Sequence, residues 1–225
     1  MGKAIGEILP YALGAAISVV PIIAIILMLV TPKAKSNGMS FAAGFVFGLA
    51  LICVVAVALA SGGDFSSGSG PTKTVSIIKL LLGLLLLFGA VRQWRSRPNP
   101  GEAPKMPKWL ASIDQFTPLR SFGIGAALSA VNPKNLAMSL AAGLSIAQAG
   151  LSTGQEVGTI LVYVLLAGAT IIGPLIVYLA MGDRAAAVLG GWRTWLADNN
   201  ATVMSVLLLV FAVVLIGKGI SGLSS

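Results

Sequence analysis

The chain contains no histidine and a single cysteine, Cys53. The missing histidine removes the commonest metal ligand and the commonest general base near neutral pH. A lone cysteine cannot run dithiol exchange, which needs two thiols. Acids are scarce as well: seven Asp and Glu stand against fifteen Lys and Arg, and charged residues make up only 10% of the 225. No Gly-rich phosphate-binding loop is present, so nucleotide hydrolysis is not expected of this chain. Nor do the apolar segments carry a paired carboxylate. Ser129 and Lys134 would sit about 140° apart on a regular helix, a poor start for a dyad. The expectation is a protein that is not an enzyme, uses no cofactor and holds no metal.

What is abundant is apolar: 56% of residues are hydrophobic and mean hydropathy is +0.94. Soluble domains run near 45–50% apolar and about 25% charged. The excess comes in blocks of roughly 20 residues, the length that spans a bilayer. Six spans are expected: Ile5–Val30, Phe41–Ala60, Val75–Val91, Ser121–Ala149, Val157–Met181 and Val203–Gly217. Each is read as a helix, because a membrane segment must satisfy its own backbone. "IKLLLGLLLLFGAV" does not alternate as a barrel strand would. The start "MGKAIG" lacks the Ser or Thr of a myristoylation motif, and the first apolar run exceeds a signal-peptide core.

The connections after spans one, three and five carry ten of the fifteen cations: Lys33, Lys35, Arg92, Arg95, Arg97, Lys105, Lys108, Arg120, Arg184 and Arg193. The opposite side has Lys3, Lys73, Lys79 and Lys218. The positive-inside rule puts the three basic loops in the cytoplasm and both termini outside. The net charge of +8 is read as this topological signal rather than as a nucleic-acid surface. The second connection, "SGGDFSSGSGPTKT", reads as a flexible linker. Two cytoplasmic stretches are amphipathic: Trp109, Leu110, Ile113 and Phe116, then Val188, Leu189, Trp192, Trp195 and Leu196. Each is expected to be a short helix at headgroup level with tryptophan as anchor.

An internal repeat organises the chain. "GAAISVVP" (Gly14–Pro21) matches "GAALSAVNP" (Gly125–Pro133), each copy in the first span of a three-span half. Three is odd, so the second half inserts upside down. The expected architecture is all-α, with two inverted three-helix repeats whose first helix is broken at proline. Residues 1–91 form the first repeat, 92–120 a basic linker and 121–225 the second repeat. Pro21 lies twelve residues before Lys33, and Asn132 twelve after Arg120. At 1.5 Å per residue both sit roughly 18 Å deep, near mid-membrane.

Each proline removes an N–H and crowds the carbonyl four residues back. Around the breaks at Pro21 and Pro133 lie Ser18, Ser129, Asn132, Lys134 and Asn135. A lysine at that depth costs on the order of 3 kcal/mol, and no carboxylate lies centrally in any span. Lys134, Asn132, Asn135, Ser129 and Ser18 are therefore candidate binding residues for an anionic group, with Lys134→Ala expected to stop transport and leave the fold intact. Snorkelling or a structural role for Lys134 is the competing reading. Elsewhere, Gly44 and Gly48 form a GxxxG spacing for close helix packing, within one chain or between two. Gly173–Pro174 marks a kink. Tyr163, Thr170 and Tyr178 line a path or simply pack. Cys53 is a small buried residue.

Four stretches, "ISVVPIIAIILMLVTPKAKSNGMSFAAGFVFGL", "NPKNLAMSLAAGLSIAQAGLS", "GPLIVYLAMGDRA" and "NNATVMSVLLLVFAVVLIGKGI", resemble the GAP family. These are actinobacterial glycopeptidolipid-addressing and sulfolipid-1-addressing membrane proteins, within the LysE-like superfamily of transporters. The resemblance covers nearly the whole chain and is weakest in the central loop. It implies transport of a cell-envelope lipid or glycolipid across the inner membrane of an actinobacterium, as a flippase or by alternating access. The superfamily's electron carriers use paired cysteines, which are absent here. Val20–Pro21 also lacks the acidic or asparagine ligands expected of a cation exporter. Export of amino acids or other small solutes remains open, as does a non-transporting accessory role in a lipid-export machine. A homodimer or envelope-biogenesis partner proteins are open too.

Overall fold

The computed structural model describes residues 1–61, 73–97 and 107–224. All regular elements among them are helical: α1 (Gly2–Ala16), α2 (Val19–Leu29), α3 (Ala34–Ser61), α4 (Lys73–Arg95), a 3-10 helix (Lys108–Gln115), α5 (Pro118–Ala130), α6 (Pro133–Ala147), α7 (Thr153–Met181), a 3-10 turn (Gly182–Arg184) and α8 (Ala185–Leu223). The proposed flexible linker lies almost entirely outside the described residues, as does the 98–106 part of the basic loop, which includes Lys105.

Four helices, α3, α4, α7 and α8, are long and apolar enough to cross a membrane. α1 and α2 meet that test together, as a pair bent by 58°. This is a helical membrane protein. The segment expected as one span over Ser121–Ala149 is two helices, α5 and α6, separated at Val131–Asn132.

Both breaks fall just before their prolines. Pro133 is the first residue of α6 and Pro21 the third of α2. A proline in the first helical turn has no N–H to lose, because those donors lie beyond the reach of any helical acceptor. The prolines therefore begin the second half of each pair. The first half ends earlier, at Ala16 and at Ala130. Pro174, by contrast, sits inside the unbroken α7.

Both amphipathic segments differ from expectation. Leu110, Ile113 and Phe116 are buried in the protein core rather than laid on a membrane surface. The 3-10 helix that carries them packs against α2. Asn37 Nδ2 donates to the Phe116 carbonyl at 2.9 Å, and Trp109 stacks on Phe116 with centroids 6.4 Å apart. The second segment is not a separate helix. It continues into the last span as one 39-residue α8, roughly 58 Å long at 1.5 Å per residue. The stretch expected as a connection before the last span is helical throughout. Asn199 Nδ2 and Thr194 Oγ1 donate back to the carbonyls of Trp195 and Gly190, so these polar groups are satisfied within the helix.

The core is assembled by helices far apart in the chain. α1 packs on α6 and α7, α3 on α5 and α6, and α4 along α8. The α3–α5 contact is made by backbone approaching backbone. A Cβ added to Gly44 would collide with the Phe122 carbonyl, one at Gly48 with Ser129 Oγ, and one at Gly125 with the Phe41 carbonyl. The Gly44–Gly48 spacing thus serves packing within one chain. Small residues allow this approach where lipid supplies no hydrophobic drive between helices. Cys53 is fully buried in the same core.

Gly44→Ala should destabilise the protein by about 1–3 kcal/mol, the range for overpacking a tight contact. Gly123→Ala on α5 meets nothing within 4 Å and should be neutral or stabilising by up to ~1 kcal/mol. Thermal unfolding of the two variants in detergent gives this contrast directly. Equal effects would refute the α3–α5 contact.

Candidate functional site

The two breaks meet. α1 ends against the start of α6, and the site is built from what each end leaves unsatisfied. A helix C-terminus exposes four carbonyls and carries partial negative charge. In α1 these belong to Leu13, Gly14, Ala15 and Ala16, and each has a donor. Leu13 accepts from the Ile17 amide at 3.2 Å and Ala16 from the Ser18 amide at 2.8 Å. Ala16 also accepts from Thr170 Oγ1 of α7. Ala15 lies 2.9 Å from Ser18 Oγ. Gly14 accepts from the Lys134 ammonium, which also lies 3.4 Å from the Ala15 carbonyl.

Lys134 is the second residue of α6 and is 2% exposed. Its third acceptor is Asn135 Oδ1 at 2.8 Å. The three ammonium protons thus face three oxygens, none of them a carboxylate. Asn135 ties the cluster together. Its Oδ1 also lies 2.9 Å from Ser18 Oγ, and its Nδ2 donates to the Leu128 carbonyl of α5 at 3.2 Å. Ser18 has one proton and two acceptors at equal distance, Ala15 O and Asn135 Oδ1. This hydroxyl can switch partner without moving the backbone.

The structure therefore brings together Lys134, Asn135 and Ser18 from the candidate set. Asn132 and Ser129 do local work instead. Asn132 Oδ1 caps α6 by accepting from the Lys134 amide at 3.0 Å. Ser129 Oγ donates to the Ala126 carbonyl at 3.0 Å and is covered by Gly48. Pro21 is buried and Pro133 exposed. In this conformation the Lys134 ammonium is bound to the end of α1. The expectation that Lys134→Ala leaves the fold intact has to be revised accordingly.

Beside this node lies a cavity of about 460 Å³. It is lined by Ile22, Ala169, Thr170, Gly173, Pro174, Gly191, Trp192, Trp195 and Leu196. Thr170 is the link between the two: its side chain lines the cavity, and its hydroxyl reaches the last carbonyl of α1. Trp192 and Trp195 are 46% and 59% exposed, so this apolar groove opens on the outer surface. Sequence reading placed these tryptophans at a membrane interface and had no signal that α2 and α7 would supply a facing wall. It also left Thr170 undecided, and it did not pair Tyr163 with Ser139, whose buried hydroxyls lie 2.8 Å apart. Among the described residues no group of three or more His, Cys, Asp or Glu could hold a metal.

The family described as Sap, sulfolipid-1-addressing protein, matches residues 8–221. The chain belongs to this family. Both helix breaks and Lys134 fall within the match, so the node is part of the family domain. No curated protein and no solved structure matches the chain.

Hydrogen bonds to a charged group contribute about 1.5–3 kcal/mol each, and the partners left behind stay buried. Lys134→Ala should therefore lower stability by several kcal/mol, more than Ser18→Ala, which removes one neutral donor worth about 1 kcal/mol. Unfolding midpoints of the two variants check the order. Equal midpoints for wild type and Lys134→Ala would show that the ammonium does not hold α1 to α6.

Proposed function

We propose that this sulfolipid-1-addressing family protein carries an anionic cell-envelope lipid or glycolipid precursor across the plasma membrane by alternating access. The carrying observation is the juxtaposition of a buried cation at a double helix break with an apolar groove open to the exterior. An amphiphile needs both features. Its acyl chains would lie in the groove beneath Trp192 and Trp195, and its headgroup would reach the node past Thr170. A small polar solute would have no use for an apolar side opening, which favours the lipid reading over amino-acid export.

The architecture behind this reading is two inverted three-helix repeats, α1–α4 and α5–α8, with the first span of each broken. In support, the repeated motif makes the same local bond in both copies: Ser18 Oγ to Ala15 O, and Ser129 Oγ to Ala126 O. Contacts also exchange as an inverted pair would, α1 with α7 and α5 with α3. The distribution of basic loops supports a topology with both termini outside.

In the mechanism, an anionic headgroup competes for the Lys134 ammonium. The ammonium leaves the carbonyls of Gly14 and Ala15, and Ser18 turns to keep one of them satisfied. α1 is then released from α6, and the two halves rock about the breaks. The reading involves no bond-making step, and the chain acts as a carrier rather than an enzyme. Energy comes from an ion gradient, the substrate gradient or a partner protein.

Reconstitution in vesicles with fluorescent anionic and neutral lipids tests the proposal. Wild type should move anionic lipids preferentially. Lys134→Gln should lose most of that transport in protein shown to be folded, and Ala169→Trp, which fills the groove, should lose it with Lys134 intact. Uptake of amino acids with no lipid movement would assign the protein to solute export. A folded protein that moves neither would point to the accessory role.

A further inference from the structure

A second polar cluster lies at the end of the bundle where α1 and α4 begin and α6 and α8 end. It contains Tyr11 from α1, Lys79 from α4, Ser145 and Gln148 from α6, and Lys218 from α8. Ser145 is eleven residues beyond Lys134 on α6, roughly 16 Å along the helix, so this is a separate place from the node.

The cluster closes into a ring. Lys79 Nζ lies 3.5 Å from Gln148 Oε1. Gln148 and Ser145 are three apart, on one face of α6. The Ser145 and Tyr11 hydroxyls lie close to each other without completing a hydrogen bond by distance and angle. The Lys218 ammonium sits 4.8 Å from the Tyr11 ring centroid and 3.5 Å from the Glu7 carbonyl. Lys79 and Lys218 are near enough to repel each other.

Three polar atoms in this ring are buried without a partner: Tyr11 Oη, Ser145 Oγ and Gln148 Nε2. Tyr11 is 0% and Ser145 3% exposed. All three can donate. A buried polar group left unpaired costs free energy, and two adjacent cations add to that cost. Among the described residues, the acid that acts on both is Glu7, whose charge offsets part of theirs. Lys79 and Lys218 bond an amide and a backbone carbonyl rather than its carboxylate. Hydroxyl and amide donors between two ammonium groups are the complement of a tetrahedral oxyanion.

We infer that Tyr11, Lys79, Ser145, Gln148 and Lys218 form a second anion-binding site for a sulfate- or phosphate-type group. In the topology proposed above it faces the non-cytoplasmic side, but the inference stands on the cluster alone and needs no transport. The group is either a free oxyanion or the headgroup of an anionic lipid.

The test is binding by the purified full chain. Sodium sulfate and sodium phosphate are titrated in neutral detergent against sodium chloride at matched ionic strength. In parallel, the unfolding midpoint is compared in phosphatidylcholine nanodiscs with and without phosphatidylglycerol. Binding of sulfate over chloride identifies a free oxyanion site, and stabilisation confined to phosphatidylglycerol identifies a headgroup site. Either response should be lost in Lys79→Gln with Lys218→Gln and kept in Lys79→Arg. Tyr11→Phe should weaken binding about tenfold, since it removes a charge-assisted donor, without lowering the anion-free midpoint. That pairing separates a ligand contact from a structural one in a variant that removes a single unpartnered hydroxyl. A response unchanged by the lysine substitutions, no response in either arm, or a Tyr11→Phe protein destabilised without anion would each overturn the inference.

Discussion

The structure depends on how the end of α1 is satisfied inside an apolar protein. A helix that stops in mid-bundle leaves carbonyls that neither water nor lipid can serve. Here the donors come from elsewhere in the chain: Lys134 from α6, Thr170 from α7 and Ser18 from the break itself. The cation sits at the negative end of the α1 dipole, where positive charge is favoured. Lysine at this depth thus needs no carboxylate partner. A carboxylate would fasten α1 to α6 more firmly than a set of neutral oxygens does.

That arrangement is available because the helices around it lie unusually close. Gly14 leaves room for Met138, since a Cβ there would be 2.7 Å from its sulfur. Gly143 lets α6 lie on the Cys53 carbonyl of α3, where a Cβ would come within 2.6 Å. Gly44, Gly48 and Gly125 do the same between α3 and α5. Wider spacing would put the carbonyls of α1 out of reach of Lys134. The packing glycines and the polar node are therefore one construction, with small residues setting the distance over which the charge acts.

The breaks themselves were legible from Gly14–Pro21 and Gly125–Pro133, because proline restricts backbone wherever it occurs. Their exact positions were not: the prolines start the second helices, and what ends the first ones is the tertiary bonding of the carbonyls. The role of Lys134 was half legible. Its cost in a membrane is a local property and showed that it needs partners. Two of its three partners are backbone oxygens about 120 residues away, which no side-chain pattern announces. The 3-10 helix at Lys108–Gln115 has the amphipathicity of a surface anchor. In the structure it turns inward, packed on α2 with the buried Asn37 donating to the Phe116 carbonyl. In α8, glycine and asparagine weaken a helix without forbidding it, and the chain continued through them.

By itself the sequence determined that this is a helical membrane protein with repeated broken segments and a basic face, because hydropathy, helix length and proline geometry are properties of local chain. It also determined the family, through motifs spread over nearly its whole length. Tertiary structure alone decided which atoms hold Lys134, that the Trp192–Trp195 face has a wall opposite it, and that Tyr11, Lys79 and Lys218 converge at one end. Those outcomes depend on which helices come within a few ångströms of one another. That distance is set by packing among residues far apart in the chain.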